Sequence, residues 1–345
     1  MPEPTTMRAW LVTRTGEPSE VLELHDVVVP TPGSGEVLVK VRAVAVNFPD
    51  VLLARGEYQV RPELPFTPGI ELSGEIVAIG PATDAARADS SRAADPAALG
   101  VGDRVVATKI GVLAEYAVLA ASDVHPTPHG LDDVQAAGLM IAYQTAWFAL
   151  HRRARLQAGE TVLVHAAAGG VGSAAVQLAV AAGARVIGVV GSAAKADVVR
   201  DAGAELVIVR GEQDFAALVN EATEGRGADV VFDPVGGESF ERSTKCIAFE
   251  GRIVVIGFAG GTVPTVRANH ALVKNYGVLG LHWGLYPTKS PALVAEAHAD
   301  LVRLADAGAI SPLVGGVVEF EDAPAAIQQL AGGATVGRLV VRVTT

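Results

Sequence analysis

The hydrophobic pattern changes in character partway along the chain. Up to about residue 130, short alternating or apolar runs are separated by proline and glycine, which is typical of β-strands joined by tight turns. The runs that predict strands here are residues 37–46, 72–79, 104–107 and 115–119. We therefore predict a compact β-rich domain at the start of the chain. Within it, residues 82–99 are rich in Ala, Asp, Ser and Arg without a periodic apolar face, which predicts an exposed insertion.

From residue 161 onward, short strands that are apolar on both faces alternate with helical segments. Such strands are expected in a parallel sheet that helices cover on each side. The pattern predicts strands over 161–165, 185–190, 206–209, 229–233, 252–257 and 277–283, and helices over 215–222, 239–249 and 291–307. The last predicted strand, 337–343, could return to the β-rich domain, which would then be assembled from both ends of the chain.

A glycine-rich turn joins the predicted strand 161–165 to the helix after it. Against the dinucleotide-binding pattern G-x-G-x-x-G, the turn has alanine at the first glycine position and keeps the other two. Its residues are, in order, Ala167, Ala168, Gly169, Gly170, Val171 and Gly172. Gly169 would let the backbone approach a diphosphate, Gly172 would let the helix lie close to its strand, and the free N–H groups at the helix start favour an anion. The alternative is that these glycines only serve packing in an ordinary α/β turn.

The loop after the second strand of this region indicates which dinucleotide is bound. NAD-binding domains place an acidic residue here for the ribose 2′-hydroxyl, but residues 191–195 read GSAAK and contain no carboxylate. The Ser192 hydroxyl at a helix start and the Lys195 ammonium one turn later would attract a 2′-phosphate, which a carboxylate would repel. The loop therefore favours NADPH over NADH. The alternatives are that Ser192 is only an N-cap and Lys195 only a solvated helix residue.

Composition and charge narrow the class of protein. The 345 residues are 50% hydrophobic and 19% charged, which describes a folded globular protein long enough for two domains. No run of about 18 uninterrupted apolar residues predicts a membrane span, and the start of the chain does not read as a secretory signal, so we expect a cytoplasmic location. The net charge of −11 and the scattered basic residues oppose nucleic-acid binding.

Cysteine usage excludes two kinds of site. Cys246 is the one cysteine of the sequence, so neither an internal disulfide nor a zinc site with two or more thiolates can form. We predict that Cys246 is a buried apolar residue in the helix 239–249.

Seven motifs spread over the chain carry a family resemblance. They are NFPD at 47–50, ARGEY at 54–58, PFTPGIELSGEI at 65–76, GVGDRV at 100–105, AGLMIAYQTAWFAL at 137–150, HAAAGGVG at 165–172 and KNYGVLGLHWG at 274–284. Together they resemble the zinc-independent quinone oxidoreductases, a branch of the medium-chain dehydrogenase/reductase superfamily that includes zeta-crystallin. The resemblance implies a GroES-like β-rich catalytic domain over 1–134 and 285–345, a Rossmann dinucleotide-binding domain over 135–284, and a homodimer.

Two departures from the superfamily pattern point away from a metal. Asn47 stands where zinc-dependent members carry a first cysteine ligand, and Ile70 stands where they carry the histidine of a GHE motif. We therefore expect no catalytic zinc. Without a metal, the hydride acceptor must itself be electrophilic or be polarised by hydrogen bonds, and quinones and α,β-unsaturated carbonyls fit.

The resemblance also implies site residues. Asn47 and Tyr58 are the catalytic candidates. Asn47 would orient the cofactor ribose or the substrate, or else only cap a turn. Tyr58 would donate a hydrogen bond to a carbonyl oxygen that gains charge, or else only cover a loop. Asp50 is expected to be a local structural acceptor.

Cofactor contacts are expected from the glycine turn and from the ends of the later strands. The predicted cofactor-binding residues are Asn47, Thr145, Ala168, Gly169, Gly170, Val171, Gly172, Ser192, Lys195, Arg210, Val235, Gly257, Phe258, Ala259, Leu281, His282, Trp283 and Arg338. Arg210 would stack on adenine, pair with a 2′-phosphate or lie in solvent. Arg338 would reach cofactor or substrate, or form a surface ion pair.

The leading hypothesis is an NADPH-dependent quinone reductase. A second is reduction of the C=C bond of a 2-alkenal, an enone or an enoyl thioester. A third, from another class, is a non-enzymatic protein that binds NADPH as a crystallin does or associates with RNA, although the acidic balance opposes RNA.

Overall fold

The computed structural model describes residues 4–81, 99–333 and 335–343. The predicted insertion 82–99 therefore lies, except for its last residue, outside the described residues. The chain forms two compact units. The first unit extends to Met140 and resumes at Val314, and the second unit runs from Ile141 to Leu313.

The secondary structure follows the two predicted patterns. The strands are β1 (Thr6–Val12), β2 (Leu22–Val28), β3 (Glu36–Ala45), β4 (Glu71–Ile79), β5 (Arg104–Thr108), β6 (Tyr116–Ala120), β7 (Val124–Pro126), β8 (Thr161–His165), β9 (Arg185–Val190), β10 (Leu206–Val209), β11 (Ala228–Asp233), β12 (Ile247–Val255), β13 (Gly277–Gly280), β14 (Val314–Glu319) and β15 (Arg338–Arg342). The α-helices are Pro18–Val21, Phe48–Arg55, Asp133–Ala137, Met140–Trp147, Gly170–Ala181, Ala196–Asp201, Phe215–Ala222, Gly237–Ser243, Ala268–Lys274, Tyr286–Lys289, Pro291–Asp306 and Ala323–Ala331.

The first unit is built around a sheet in the order β14-β15-β3-β4-β5-β7, with β6 also paired to β3. Alternate residues of β3 and β4 lie in one hydrophobic core, as the period of a strand requires. The last strand, β15, pairs antiparallel with β3, with Val340 opposite Ala45. The prediction that the end of the chain returns to the β-rich domain is confirmed.

The second unit contains a six-stranded sheet in the order β10-β9-β8-β11-β12-β13, and every pairing is parallel. Every residue of β8 is buried, because helices cover both faces of the sheet. The predicted class, a GroES-like β-rich unit with a Rossmann-type parallel sheet, is confirmed.

Three predicted boundaries were wrong. The helix 239–249 ends at Ser243, and β12 already begins at Ile247, five residues before the predicted start. β12 continues through a register shift opposite β11, so one strand holds both Ile247 and the predicted run from Arg252. Cys246 is buried as predicted, but it lies between the helix and the strand. The strand predicted over 277–283 ends at Gly280.

The limits of the compact units differ from the predicted domain limits, which placed 285–313 with the first unit. In the structure this segment is part of the second unit. The Gln144 amide Nε2 donates to the Val294 carbonyl at 3.1 Å, and the Trp147 indole Nε1 donates to the Asp300 carboxylate at 2.9 Å. These hydrogen bonds tie the helix Pro291–Asp306 to the helix Met140–Trp147.

No helix within residues 4–81, 99–333 or 335–343 combines the length and the apolar character that crossing a bilayer requires.

Candidate active site

Most of the predicted cofactor-binding residues follow the carboxyl ends of the parallel strands. The glycine turn follows β8, Ser192 and Lys195 follow β9, Arg210 follows β10, Val235 follows β11, residues 257–259 follow β12 and residues 281–283 follow β13. In an open parallel sheet, ligands bind outside these strand ends where the strand order changes direction. That change lies between β8 and β11. The structure therefore brings these residues to the edge of the sheet where a dinucleotide would bind.

The glycine turn has the shape of a diphosphate cradle. Ala166 has a positive φ of 50°, and Gly169 is the N-cap of the helix Gly170–Ala181. A Cβ on Gly172 would lie 2.1 Å from the Ala166 carbonyl oxygen, so only glycine lets the helix approach the turn this closely. The first N–H groups of a helix have no acceptor inside it, so they remain for an anion. The residues present fit a dinucleotide diphosphate.

The alanine at the first glycine position is accommodated by a neighbouring strand. Ala167 is fully buried, and its backbone N–H donates to the Val189 carbonyl of β9 at 3.0 Å. A Cβ on Gly188 would lie 3.1 Å from the Ala167 Cβ and 2.7 Å from Val199 Cγ1. The methyl group of Ala167 therefore occupies space that glycine leaves free in β9.

The loop after β9 bears on the choice of dinucleotide. Ser192 precedes the 3-10 turn Ala193–Lys195, but its side chain accepts no capping hydrogen bond in the described structure. Ser192 is at the N-cap position, but its hydroxyl does not act as a capping group. Ser192 and Lys195 are both half-exposed, and Arg210 is exposed. Their contacts with a 2′-phosphate stay predictions.

A buried polar layer lies under this edge of the sheet, at the ends of β8 and β11. The Ser243 hydroxyl donates to the Ser239 carbonyl at 2.7 Å and lies 2.7 Å from His165 Nε2. Since this hydroxyl proton is already used, Nε2 of His165 must be the donor. Its Nδ1 is then an acceptor, and it has no partner among the described residues.

Burial lowers the pKa of His165 to about 3, and the charges of Arg210 and Arg242 act in the same direction. On β11, Asp233 Oδ1 accepts the N–H groups of Val235 and Gly236 at 2.9 and 3.0 Å. Burial raises the pKa of Asp233, against those two hydrogen bonds and Arg210. Through these two hydrogen bonds, the side chain of Asp233 fixes the turn that carries the predicted contact Val235.

The helix Met140–Trp147, which carries the predicted contact Thr145, is hydrogen-bonded to the segment after β13. Thr145 is buried, and beside it the Gln144 Oε1 accepts from the Trp283 indole Nε1 at 3.3 Å. Leu281 and Trp283 are buried, whereas His282 is exposed. Sequence reasoning missed Gln144, although a glutamine in a helix that is otherwise almost wholly apolar was an available signal.

In the first unit, four buried polar residues form a cluster, which we call the carboxylate cluster: Asn47, Asp50, Glu71 and Arg338. Their exposed fractions are 3%, 1%, 0% and 6%. The amide Nδ2 of Asn47 donates to Glu71 Oε1 at 2.7 Å and to the Ala45 carbonyl at 3.0 Å. Arg338 forms an ion pair with the same Glu71 oxygen. The sequence left open a surface ion pair for Arg338, and the structure shows a buried one.

Asp50 closes the other side of the carboxylate cluster. Its Oδ2 accepts the backbone N–H of Asn47 at 2.8 Å, and its Oδ1 accepts that of Gly69 at 3.1 Å. These two hydrogen bonds agree with the expected role of Asp50 as a local structural acceptor. Burial raises the pKa of Asp50 to about 7, although both hydrogen bonds and the charge of Arg338 oppose this rise. Burial also lowers the pKa of Arg338 to about 10.

Tyr58 is half-buried after the helix Phe48–Arg55. Burial raises the pKa of its phenol, and the charge of Asp50 raises it further. The catalytic roles of Tyr58 and Asn47 stay predictions.

The residues at the zinc-ligand positions do not fit a zinc ion. The two amide hydrogens of Asn47 are donated to Glu71 and to the Ala45 carbonyl, Ile70 has no donor atom, and Glu71 is paired with Arg338. No group of three or more His, Cys, Asp or Glu side chains that could hold a metal is found in residues 4–81, 99–333 and 335–343.

Glu71 and its pairing with Arg338 escaped the sequence reasoning. Glu71 was noted only as the last letter of the altered GHE motif, and Arg338 lies on the last strand. Each is a charged residue at the start of a mostly buried strand. A buried charge needs a partner of opposite sign, and this is the sequence signal that could have suggested their pairing.

Comparisons with known proteins agree with this architecture. The zinc-binding dehydrogenase family model matches residues 170–299, and the alcohol dehydrogenase GroES-like domain model matches residues 33–129. A quinone oxidoreductase-like protein 2 homolog of Nematostella vectensis is 40% identical over 268 residues, which cover 77% of this chain and 70% of that protein. The quinone oxidoreductase of Mus musculus is 32% identical over 342 residues, 97% of each chain.

A mycobacterial structure determined in complex with NADPH has 35% identity and a TM-score of 0.86, over 98% of this chain and all of that one. The fold, the glycine turn and both family models define a medium-chain dehydrogenase/reductase. Within that superfamily, the chain belongs to the quinone oxidoreductase family.

Proposed function

We propose that this protein is an oxidoreductase that transfers hydride from NADPH to a quinone without zinc. The observation that carries the proposal is the coexistence of a diphosphate cradle after β8 with an amide, Asn47, and an aliphatic residue, Ile70, at the two zinc-ligand positions. The relatives named quinone oxidoreductases and the mycobacterial structure with NADPH support the same reading.

NADPH, when bound, supplies the hydride from its nicotinamide ring. The first N–H groups of the helix Gly170–Ala181 would hold the diphosphate, and Gly169 would let the backbone approach it. Ser192, Lys195 and Arg210 would surround the 2′-phosphate, since residues 191–195 contain no carboxylate to repel it. The remaining predicted contacts, from Thr145 to Trp283, would line the rest of the cofactor.

The first unit supplies polar groups for the acceptor. Tyr58 would donate its phenolic proton to a carbonyl oxygen that becomes negative as hydride arrives. Asn47 is held by Glu71, and with both amide hydrogens in use it would meet a ribose or acceptor hydroxyl only through Oδ1. For Arg338, the buried ion pair with Glu71 supports a role in ordering Asn47, and its Nε, which has no hydrogen-bond partner among the described residues, would be available to a ligand.

Steady-state assays test the reaction. With NADPH as donor, 1,4-benzoquinone should be turned over, and a 2-alkenal tests reduction of the C=C bond. Turnover of the alkenal alone would contradict the quinone assignment and support the alternative, and binding of NADPH without turnover of either acceptor would favour a non-enzymatic role. Tyr58→Phe should lower kcat while the affinity for NADPH stays unchanged.

The cofactor preference has its own test. Lys195→Ala should raise KM for NADPH by about tenfold and leave KM for NADH nearly unchanged, because one charge-assisted contact to the phosphate is lost. Lys245→Ala is the matched control, since Lys245 is an exposed lysine of the same unit that precedes β12 and does not follow the carboxyl end of a strand. Equal losses with both cofactors would contradict the phosphate role.

We also propose that two copies associate as a homodimer through the β13 edge. β13 is the last strand of the described sheet on that side, so one row of its backbone groups is unpaired and can pair with a second β13. In the helix that precedes β13, Ala268–Lys274, Leu272 and Val273 are 76% and 78% exposed. The cytoplasmic location expected from the sequence stays a prediction.

A further inference from the structure

His165 and Asp233 end neighbouring strands of the parallel sheet. β8 and β11 pair in register up to Val164 and Phe232. His165 and Asp233 are the next residues and the last of their strands. Neighbouring strands lie about 5 Å apart, and residues in register point to the same face of a sheet. Both side chains are buried, and neither Nδ1 of the one nor Oδ2 of the other has a hydrogen-bond partner in the part of the chain that the structure describes.

The packing around the two side chains supports a shared face. The His165 ring lies edge-on to Phe215, with the ring centroids 4.9 Å apart. Phe215 and Val231 belong to one hydrophobic core. Val231 shares its face with Asp233, because side chains alternate along a strand. His165 and Asp233 therefore border the same core, at the edge of the sheet where the strands end.

The two unpaired atoms need a bridging group. Nε2 of His165 donates to Ser243, so its Nδ1 is an acceptor. An ionised Asp233 offers only acceptors as well, and two acceptors cannot bond to each other. A neutral Asp233 has an O–H to donate, but no hydrogen bond joins the two side chains. Water both donates and accepts, so one water molecule suits this pair whether Asp233 is ionised or neutral.

Asp233 also holds two segments that carry predicted cofactor contacts. Its Oδ1 accepts the N–H groups of Val235 and Gly236 at 2.9 and 3.0 Å. Next along this chain of hydrogen bonds, the Pro234 carbonyl accepts the N–H of Ala259 at 3.0 Å. A group that fixes the Asp233 carboxyl therefore fixes the turn after β11 and the loop after β12 together.

We propose that His165 and Asp233 bind one internal water molecule, and that Asp233, held in this way, is a positioning residue for the cofactor. The water donates a hydrogen bond to Nδ1 of His165 and forms a second one with Oδ2 of Asp233. Asp233 acts through the backbone of the turn that it orders. The part of the inference that concerns the cofactor rests on the proposed function.

A crystal structure of the wild-type protein tests the water site, at a resolution that shows ordered water. We expect one electron-density peak within about 3.2 Å of both His165 Nδ1 and Asp233 Oδ2. The absence of a peak would overturn the water site, and so would a direct hydrogen bond between the two side chains.

Calorimetric titration with NADPH tests the positioning role. Asp233→Ala should raise Kd by about tenfold, because the turn loses two hydrogen bonds to a buried acceptor. Asp233→Asn should keep most of the affinity, since its amide oxygen can accept the same N–H groups and its Nδ2 can donate to His165 in place of the water. Thr223→Val is the matched control. It removes a buried hydroxyl that accepts the Gly227 N–H at 2.8 Å, before the amino end of β11, and should leave Kd unchanged.

Three results would overturn the positioning role: an unchanged Kd in Asp233→Ala, an equal loss in Thr223→Val, or an equal loss in Asp233→Asn. Failure of the wild-type protein to bind NADPH would instead refute the proposed cofactor. The electron-density test requires neither cofactor nor turnover, so the failure of the water site and the failure of the proposed function are distinguishable.

Discussion

One methyl group determines how the glycine turn sits against its neighbouring strand. The dinucleotide-binding pattern has glycine at the first position of the turn, and Ala167 departs from it. Gly188 in β9 compensates, because the position of its missing Cβ lies 3.1 Å from the Ala167 methyl group. Ala167 in the turn and Gly188 in the strand Arg185–Val190 therefore compensate each other. The sequence of the turn alone does not show this.

Gly188→Ala should therefore destabilise the protein. The new Cβ would lie 2.7 Å from Val199 Cγ1 as well as 3.1 Å from Ala167, and overpacking of this kind costs about 1 to 3 kcal/mol. Urea unfolding monitored by circular dichroism measures the change. Gly191→Ala, just beyond the end of the same strand, is the control, since its Cβ would meet nothing within 4 Å. Equal stability of the two variants would show that the contact does not constrain the turn.

At the scale of elements, the sequence pattern located the parallel strands well because they are apolar on both faces. The predicted strands 161–165, 185–190 and 206–209 match β8, β9 and β10. The helix 239–249 was overextended, since the apolar residues around Cys246 suit a buried helix as well as a buried strand. Pairing of Ile247 with Ala228 on β11, a tertiary contact, decides for the strand.

Side-chain partners were harder to predict than elements. Asn47 and Asp50 lie at the start of one helix, so their contact could be expected. Arg338 lies on the last strand, and only the pairing of β15 with β3 brings it to the helix start that holds Asn47. No local period in the sequence encodes that pairing, and the same holds for the bond between Gln144 and the helix Pro291–Asp306.

The end of β8 carries a histidine that is buried in its neutral form, and this predicts acid sensitivity. Because folding lowers the pKa of His165 to about 3, its contribution to stability is present above its ordinary pKa of about 6.5 and is lost as the pH falls. The wild-type protein should therefore lose about 2 kcal/mol between pH 7 and pH 5 from this group. His165→Gln should be less stable at pH 7 but should lose less on acidification.

Urea unfolding at both pH values measures this difference, and His129→Gln, at an exposed histidine, is the control. Asp50 acts in the opposite direction. Its raised pKa of about 7 contributes stability that is complete below the unfolded pKa of about 4 and is lost as the pH rises through 7. If His165→Gln lost as much stability on acidification as the wild type, His165 would not be the neutral buried group described here.

At the scale of the whole molecule, the proposed dimer predicts the mass of the assembly in solution. Leu272→Asp combined with Val273→Asp should convert a dimer into a monomer, because charges would be buried at the β13 edge. Both side chains are more than three-quarters exposed, so the fold of one chain should tolerate them. Val28→Asp, at an equally exposed valine of the first unit, is the control.

Sedimentation velocity gives the mass of each variant. A wild-type protein that sediments as a monomer, or a double variant that remains a dimer, would contradict association through this edge.

The central claim is that the polar cluster around Asn47 and Asp50 supports hydride transfer from NADPH to an activated acceptor without zinc. The most direct measurement is the rate of NADPH oxidation by 1,4-benzoquinone after chelator treatment, with the zinc content determined by mass spectrometry. We predict the full rate at a negligible zinc content. Loss of the rate on chelation and its recovery when Zn²⁺ is added back would contradict the account.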